Sequence, residues 1–393
     1  MVSIALKNLL KTCIRTLWKL IQLLLFIIIV PPLINYASLK REAPLLGQHG
    51  LPYDIGYGQK LFLRCRGHGT PTVIFDAPTG MNSDIWLPLQ ESLKKTTTVC
   101  IYDRAGLGMS DPPVSLTLKQ SNISIKIYGS KLIIALFNIE TNEKENKPTK
   151  HRGMDFTVEK MSEDLNRLVT ATSQQPKPFI LVGADLGAIV TRFYAQMYEF
   201  DVSHLFLVDP LVETLLDNEQ WKDYWYNKII PRLHAMQLSA AIGVNRILVL
   251  THMINTPLVT KISDNVDDNN LNINHRQKHL LCNAAHISSA IREHFYMNET
   301  FSQMKLAWRM KAFPSNVSVT IVNRRQYDKS LSKDLNKIWD ESQEYLRMQL
   351  FRNRIQHRFI DSTDKYFIFN KPDLLESLIK DSISQWREQK GLA

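Results

Sequence analysis

The chain carries no charge from Leu20 to Leu39, and it is unbroken in apolar side chains from Leu23 to Val30. About 20 helical residues cross the hydrocarbon of a bilayer, so this run predicts a membrane anchor over residues 1–41. Trp18 and Tyr36 stand where interfacial aromatics sit, and Arg15 and Lys19 are long enough to snorkel. Ile34-Asn35-Tyr36-Ala37-Ser38 is a poor cleavage site, which favours an anchor that is retained over a signal peptide. Beyond a linker at 40–55, short apolar runs read as strands: Lys60–Cys65, Thr72–Phe75, Thr98–Tyr102, Phe179–Val182, Leu205–Val208, Val317–Val322 and Arg358–Ile360. Helical periodicity lies between several of them, at Met161–Val169 and Leu186–Tyr198, and again at Leu374–Trp386. Strands alternating with helices predict an α/β fold with a mostly parallel sheet.

Two stretches break the rhythm. Residues 113–153 are rich in lysine and asparagine, with one apolar island at Leu132–Phe137, and read as an insertion of disordered composition. Residues 211–312 contain tryptophan, methionine and histidine in helical patterns without a clear strand, and read as a helical cap over the sheet. The expected organisation is an anchor at 1–41, a first core part at 42–210, the cap at 211–312 and a second core part at 313–393.

Composition adds limits. The 393 residues are 44% hydrophobic and 22% charged, which is ordinary for a globular protein. The net charge is +10, but residues 1–41 hold Lys7, Lys11, Arg15, Lys19, Lys40 and Arg41 with no acid. What remains is about +4 over the rest of the chain, a solvated surface without the basic stripe that nucleic acid requires. The basic flank on the amino side predicts a cytoplasmic N-terminus and a luminal or extracellular main domain. Three triplets fit glycosylation acceptors in such a compartment, at Asn122, Asn298 and Asn316. The four cysteines fit no metal spacing; Cys65, Cys100 and Cys282 read as small buried hydrophobes. No motif for a metal or organic cofactor is present, and Arg66-Gly67-His68-Gly69 is too short for a phosphate loop.

Candidate chemistry starts at Gly183-Ala184-Asp185-Leu186-Gly187, a glycine-framed turn between an apolar strand and a helix. Such a turn pushes its central side chain above a sheet, and its glycines permit the strained backbone. Three other stretches follow the same order as in a known group: "VIFDAPTGMNSDIW", "VCIYDRAGLGMSD" and, near the end, "FIFNKPDLLESLI". Together the four resemble the α/β-hydrolase fold superfamily over residues 50–112 and 155–390. The resemblance implies a nucleophile, an acid and a histidine, in that chain order.

The resemblance puts Asp185 at the nucleophile and Asp209, in "LFLVDP", at the acid, with Asp328 as a later alternative. Counted back from Pro372-Asp373, the resemblance expects Gly-His before an apolar pair, and Lys365 in Asp364-Lys365-Tyr366-Phe367 stands at the histidine's place; no histidine follows His357. A lysine with a pKa of about 10.4 is a poor general base near neutrality. Oxyanion donors should come from Leu186 and from the loop after Asp76-Ala77. The matching position there is Pro78, which has no N–H, or Thr79 in a register shifted by one. Beside a membrane-anchored adhesion or interaction module that uses the cap surface, two expectations follow. In one, Asp185 and Lys365 form an ion pair that fills a degenerate site, and the protein is a pseudoenzyme that binds a small apolar ligand or a protein partner. In the other, Asp185 is a covalent nucleophile toward a neutral epoxide, haloalkane or ester, with its base drawn from Lys365 or from a cap histidine: His234, His279, His286 or His294.

Overall fold

The computed structural model describes residues 2–46, 50–113, 154–172, 175–254, 258, 268–351 and 355–392. Eight strands form one sheet in the order β1-β2-β4-β3-β5-β6-β7-β8. They are β1 Leu51–Asp54, β2 Lys60–Arg66, β3 Val73–Asp76, β4 Val99–Tyr102, β5 Phe179–Ala184, β6 Val202–Val208, β7 Ser318–Arg324 and β8 Gln356–Ile360. The β1–β2 and β2–β4 pairs are antiparallel, and every other pair is parallel.

Alternation along the central strands divides the core. Val73 and Phe75, with Ile180 and Val182, face Trp86, Leu89 and Leu93 on one side. Ile74, with Leu181 and Leu205, faces Leu165, Leu168 and Tyr194 on the other. The strands are buried on both faces because helices cover both, as parallel sheets require. Helix α2 (Leu87–Leu93) and the C-terminal helix Asp373–Lys390 supply the first cover; α3 (Val158–Thr172) and α4 (Leu186–Met197) supply the second.

Between β6 and β7 the described residues are helical: α5 (Glu219–Tyr224), a π-helical turn at Trp225–Ile229, α6 (Ile230–Ala241), α7 (Val244–Leu250), α8 (Asp268–Cys282), α9 (Ala284–Phe295) and α10 (Met297–Met310). Trp221, Trp225, Ile287, Ile291 and Phe301 from this layer bury Ile189, Val190 and Phe193 of α4. α11 (Lys333–Tyr345) follows β7, α12 (Phe367–Asn370) follows β8, and α13 is the C-terminal helix.

Several expectations need correction. Residues 40–55 are not a linker: α1 runs from Val2 to Leu46, and β1 starts at Leu51. Cys65 and Cys100 are not free hydrophobes. The antiparallel register of β2 and β4 sets them opposite one another, and they form a disulfide. The insertion at 113–153 and the acceptor Asn122 lie outside the described residues, except Pro113. Among the described residues one helix, at the N-terminus, is long and apolar enough to cross a membrane on its own.

Candidate active site

The parallel strands end on a common edge, where α/β sheets bind ligands. At the end of β5 the backbone of Asp185 takes φ 55° and ψ −113°, a strained left-handed-side conformation for a residue with a Cβ. The flanking glycines make it fit. A Cβ at Gly183 would lie 2.2 Å from the Gly187 carbonyl oxygen, and one at Gly187 would lie 2.6 Å from the carbonyl oxygen of Asp76. The turn can close on β3 only with hydrogen at both positions.

The two oxygens of the Asp185 carboxylate have different surroundings. Oδ2 accepts from the Thr79 backbone N–H at 3.1 Å and from the Thr79 hydroxyl at 2.6 Å. Oδ1 is buried and has no hydrogen-bond partner among the described residues. Thr79, not Pro78, therefore aims an amide at the elbow. Pro78 contributes its carbonyl, which accepts from Arg104 at 2.9 Å. Leu186 opens α4, where the first N–H groups lack intrahelical acceptors.

Arg104, from the Asp103-Arg104-Ala105-Gly106 turn, holds this loop in place. Its Nη1 donates to Asp76 and, at 2.6 Å, to the Ala77 carbonyl. Its Nε and Nη2 form a fork on Glu293 of α9 at 2.7 and 2.9 Å. Glu293 also accepts from the Gly80 N–H at 2.7 Å, so it closes a ring between the loop and the cap. Burial opposes the charge on Arg104, but Glu293 and Asp76 together raise its pKa. Burial raises the pKa of Asp76 against the pull of Arg104.

The next residue on α9 is His294. Its Cε1 lies 3.4 Å from where a Cβ on Gly80 would sit, so the ring rests on the same loop that holds Asp185. Its Nδ1 is 2.8 Å from the Ala290 carbonyl oxygen. A carbonyl can only accept, so Nδ1 carries the hydrogen and the Nε2 lone pair is left available in the neutral ring. Trp225 packs on the ring at 5.1 Å between centroids and donates to the His294 carbonyl at 2.8 Å. Burial lowers the His294 pKa. The Ala290 bond and the charges of Asp185 and Glu293 oppose that shift, and the charge of Lys365 adds to it. The ring is thus held neutral near pH 7.

A family profile described as alpha/beta hydrolase fold matches residues 68–252. Among solved structures, the epoxide hydrolase VrEH1 from Vigna radiata superposes with a TM-score of 0.57 at 12% identity, covering 86% of this chain and 99% of that one. Cfl2 from Burkholderia cenocepacia superposes with a TM-score of 0.54 at 13% identity, covering 84% and 94%. The chain has the α/β-hydrolase fold. An uncharacterized Bacillus subtilis protein, YqjL, is 21% identical over 175 residues, which are 43% of this chain and 53% of that protein. The chain thus spans about half the length of this curated relative.

Within the α/β-hydrolase fold, Asp209 occupies the turn after β6 with φ 42°. Its carboxylate accepts from the Arg324 backbone N–H at 2.9 Å and from Arg324 Nε at 2.6 Å. Burial raises its pKa and Arg324 lowers it. Asp209 is therefore committed to an arginine and orients no histidine among the described residues. Asp328 lies in a surface turn, bonded to Ser330.

The expected Asp185–Lys365 ion pair does not form. Thr79 occupies Asp185 Oδ2, while Lys365 is exposed and makes no ion pair among the described residues. Asp364 holds this turn by accepting from the Tyr366 N–H at 2.8 Å and from Asn370 at 2.6 Å. Of the cap histidines, His279 is spent on Glu42 and His286 accepts from the Gly108 N–H.

One residue went unread in the sequence. Tyr327, after β7, stacks on Trp339 at 4.9 Å between centroids. Its phenol is pushed well above the ordinary value, first by burial and then by the charge of Asp185. A tyrosine in a polar loop has no distinguishing pattern, so only the fold brings it to the site. Asn298 is exposed on α10, and its triplet partner Thr300 is buried. Asn316 is exposed just before β7 and donates to the Glu199 carbonyl at 3.1 Å.

Proposed function

We propose that the protein is a membrane-anchored hydrolase that opens neutral apolar epoxides through a covalent ester on Asp185. The reading rests on the unequal Asp185 carboxylate. Thr79 holds Oδ2 through an amide and a hydroxyl, and Oδ1 is left bare beside a neutral histidine. In the first step Oδ1 attacks an epoxide carbon, the ring C–O bond breaks, and the oxygen takes a proton from Tyr327, whose raised pKa keeps it protonated. In the second, water loses a proton to His294 Nε2 and attacks the ester carbonyl. The carbonyl oxygen collects negative charge at Thr79 and Leu186, the diol leaves with the proton from His294, and the carboxylic acid left on Asp185 returns its proton to Tyr327. An epoxide is favoured over a haloalkane because Tyr327 supplies a proton that a halide does not need. The epoxide hydrolase among the structural neighbours agrees with this choice. No metal or cofactor is required.

The test is a panel of apolar epoxides, haloalkanes and esters offered to the full chain in detergent. Epoxide turnover that disappears in Asp185→Asn is the expected result. Activity that survives in Asp185→Asn would refute the nucleophile. The second reading is a pseudoenzyme that binds an apolar ligand, favoured by the exposed Lys365 standing where the sequence resemblance expects histidine. Absence of all turnover with saturable ligand binding would decide for it.

The pH profile is a separate prediction. His294 acts only when neutral, and its pKa lies below the ordinary 6.5, mainly through burial. The acid limb of kcat, set by hydrolysis of the ester, should therefore fall at a pH under 6.5. Removing a nearby cation eases protonation, so Lys365→Ala should move that limb to higher pH. Since Lys365 has no ion-pair partner among the described residues, the same substitution should leave the melting temperature unchanged. A limb that does not move would show that Lys365 has no electrostatic hold on the base.

The Cys65–Cys100 disulfide supports a location for this domain in an oxidising compartment. That agrees with an N-terminus on the cytoplasmic side, which the basic residues before Leu20 favour.

A further inference from the structure

The cap is fastened to the apolar N-terminal helix. The Pro31 carbonyl oxygen would lie 2.3 Å from a Cβ on Gly243, so α1 touches the α6–α7 corner backbone to backbone. One turn on, the Asn35 amide donates to the carbonyls of Ala240 at 2.9 Å and Cys282 at 3.1 Å. Two turns further, Glu42 takes a fork from Arg246 at 2.7 and 3.0 Å, and a contact from His279 at 3.1 Å. Pro31, Asn35 and Glu42 thus form one docked stripe.

Helix length decides where that stripe lies. Leu20–Ile29 is exposed on all sides, but ten residues reach only about 15 Å. The hydrocarbon core is about 30 Å thick. The uncharged run Leu20–Leu39 matches that thickness only if its docked half is included. Pro31 and Asn35 then lie below the membrane surface, and the corner they touch lies there with them.

The corner is built for that depth. From Leu233 to Ile254 the only formally charged side chain is Arg246, which is buried and paired with Glu42. The exposed side chains include Leu238, Ile242, Ile247, Leu250, Met253 and Ile254. The Asn35 amide is buried and bonded to two carbonyls, as a polar group in hydrocarbon must be. Such a patch is out of place on a surface facing water.

We infer that the α6–α7 corner, residues 233–254, is immersed in the bilayer leaflet beside α1. The inference rests on α1 crossing the membrane and is independent of any catalytic activity. The cap then grips the membrane at a second point. α6 packs along α9, so the helix carrying Glu293 and His294 sits one helix away from lipid.

The test uses the full chain in phosphatidylcholine vesicles, with the exposed Cys13 replaced by alanine. An environment-sensitive dye is attached to Leu250→Cys or Ile242→Cys, and lipids with a nitroxide on the acyl chain serve as quencher. Leu25→Cys on α1 and Lys337→Cys on α11 are the references. The expected result is blue-shifted emission at 242 and 250, quenched as strongly as at 25, with no quenching at 337. Water-like emission at 242 and 250 with quenching at 25 would overturn the immersion and leave the anchor standing. Blue-shifted but unquenched emission would also overturn it, because protein, such as a second copy, would then cover the patch. A probe at 25 that escapes quenching would remove the anchor and the inference together.

Discussion

Replacing Arg104 by methionine is expected to destabilise the protein by about 3–5 kcal/mol, the usual cost of stranding buried charges. Arg104 is buried between Asp76 and Glu293 and pairs with both. Without it, two carboxylates face each other across the loop, and the carbonyls of Ala77 and Pro78 lose their donor. The ring Arg104–Glu293–Gly80 also ties α9 to the loop that holds Asp185. The substitution should therefore loosen the site as well as the fold. A denaturant midpoint measured beside that of Arg325→Met, whose ion pair is exposed and 3.9 Å long, gives the comparison. If both variants unfold at the same midpoint, the ring does not carry the stability assigned to it.

This ring explains which parts of the molecule could be read in advance. The central strands stood out because β3, β4 and β5 are short runs buried on both faces. The elbow stood out because Gly183 and Gly187 are demanded by close backbone approach. The Asp-Arg-Ala-Gly-Leu-Gly turn was recognisable, yet its purpose was not. Arg104 binds Glu293, 189 residues away, and no local pattern records that pairing. β1 escaped notice because its residues are mostly exposed and alternate weakly. The Cys65–Cys100 bond depended on a β2–β4 register that periodicity alone does not set.

The Lys365 expectation failed for a related reason. A resemblance along the chain names the position where a histidine is expected, but it cannot say where the side chain standing there points. Asp364 anchors its turn, and Lys365 ends in solvent. In the sequence His294 is one of four candidate bases in the cap, with nothing to distinguish it. The fold separates it from the others by its neighbours: Gly80 below, Trp225 alongside, and a carbonyl that fixes its tautomer.

His294→Gln should separate the two halves of the proposed reaction. Alkylation needs only the bare oxygen of Asp185 and a proton from Tyr327, and neither is touched by the substitution. Hydrolysis needs a base for water, and glutamine is none. Loss of a general base typically slows a step by about 10²- to 10⁴-fold. The variant offered an epoxide that the wild type turns over should therefore release almost no diol after one equivalent of epoxide is consumed. Intact-mass measurement should find the chain heavier by one epoxide, and peptide mapping should place the added mass on Asp185. His286→Asn is the control: its ring accepts from the Gly108 N–H, away from the elbow, so it should gather no adduct. An unmodified His294→Gln chain with diol release at the wild-type rate would remove His294 from the mechanism. An adduct on any residue other than Asp185 would remove the nucleophile.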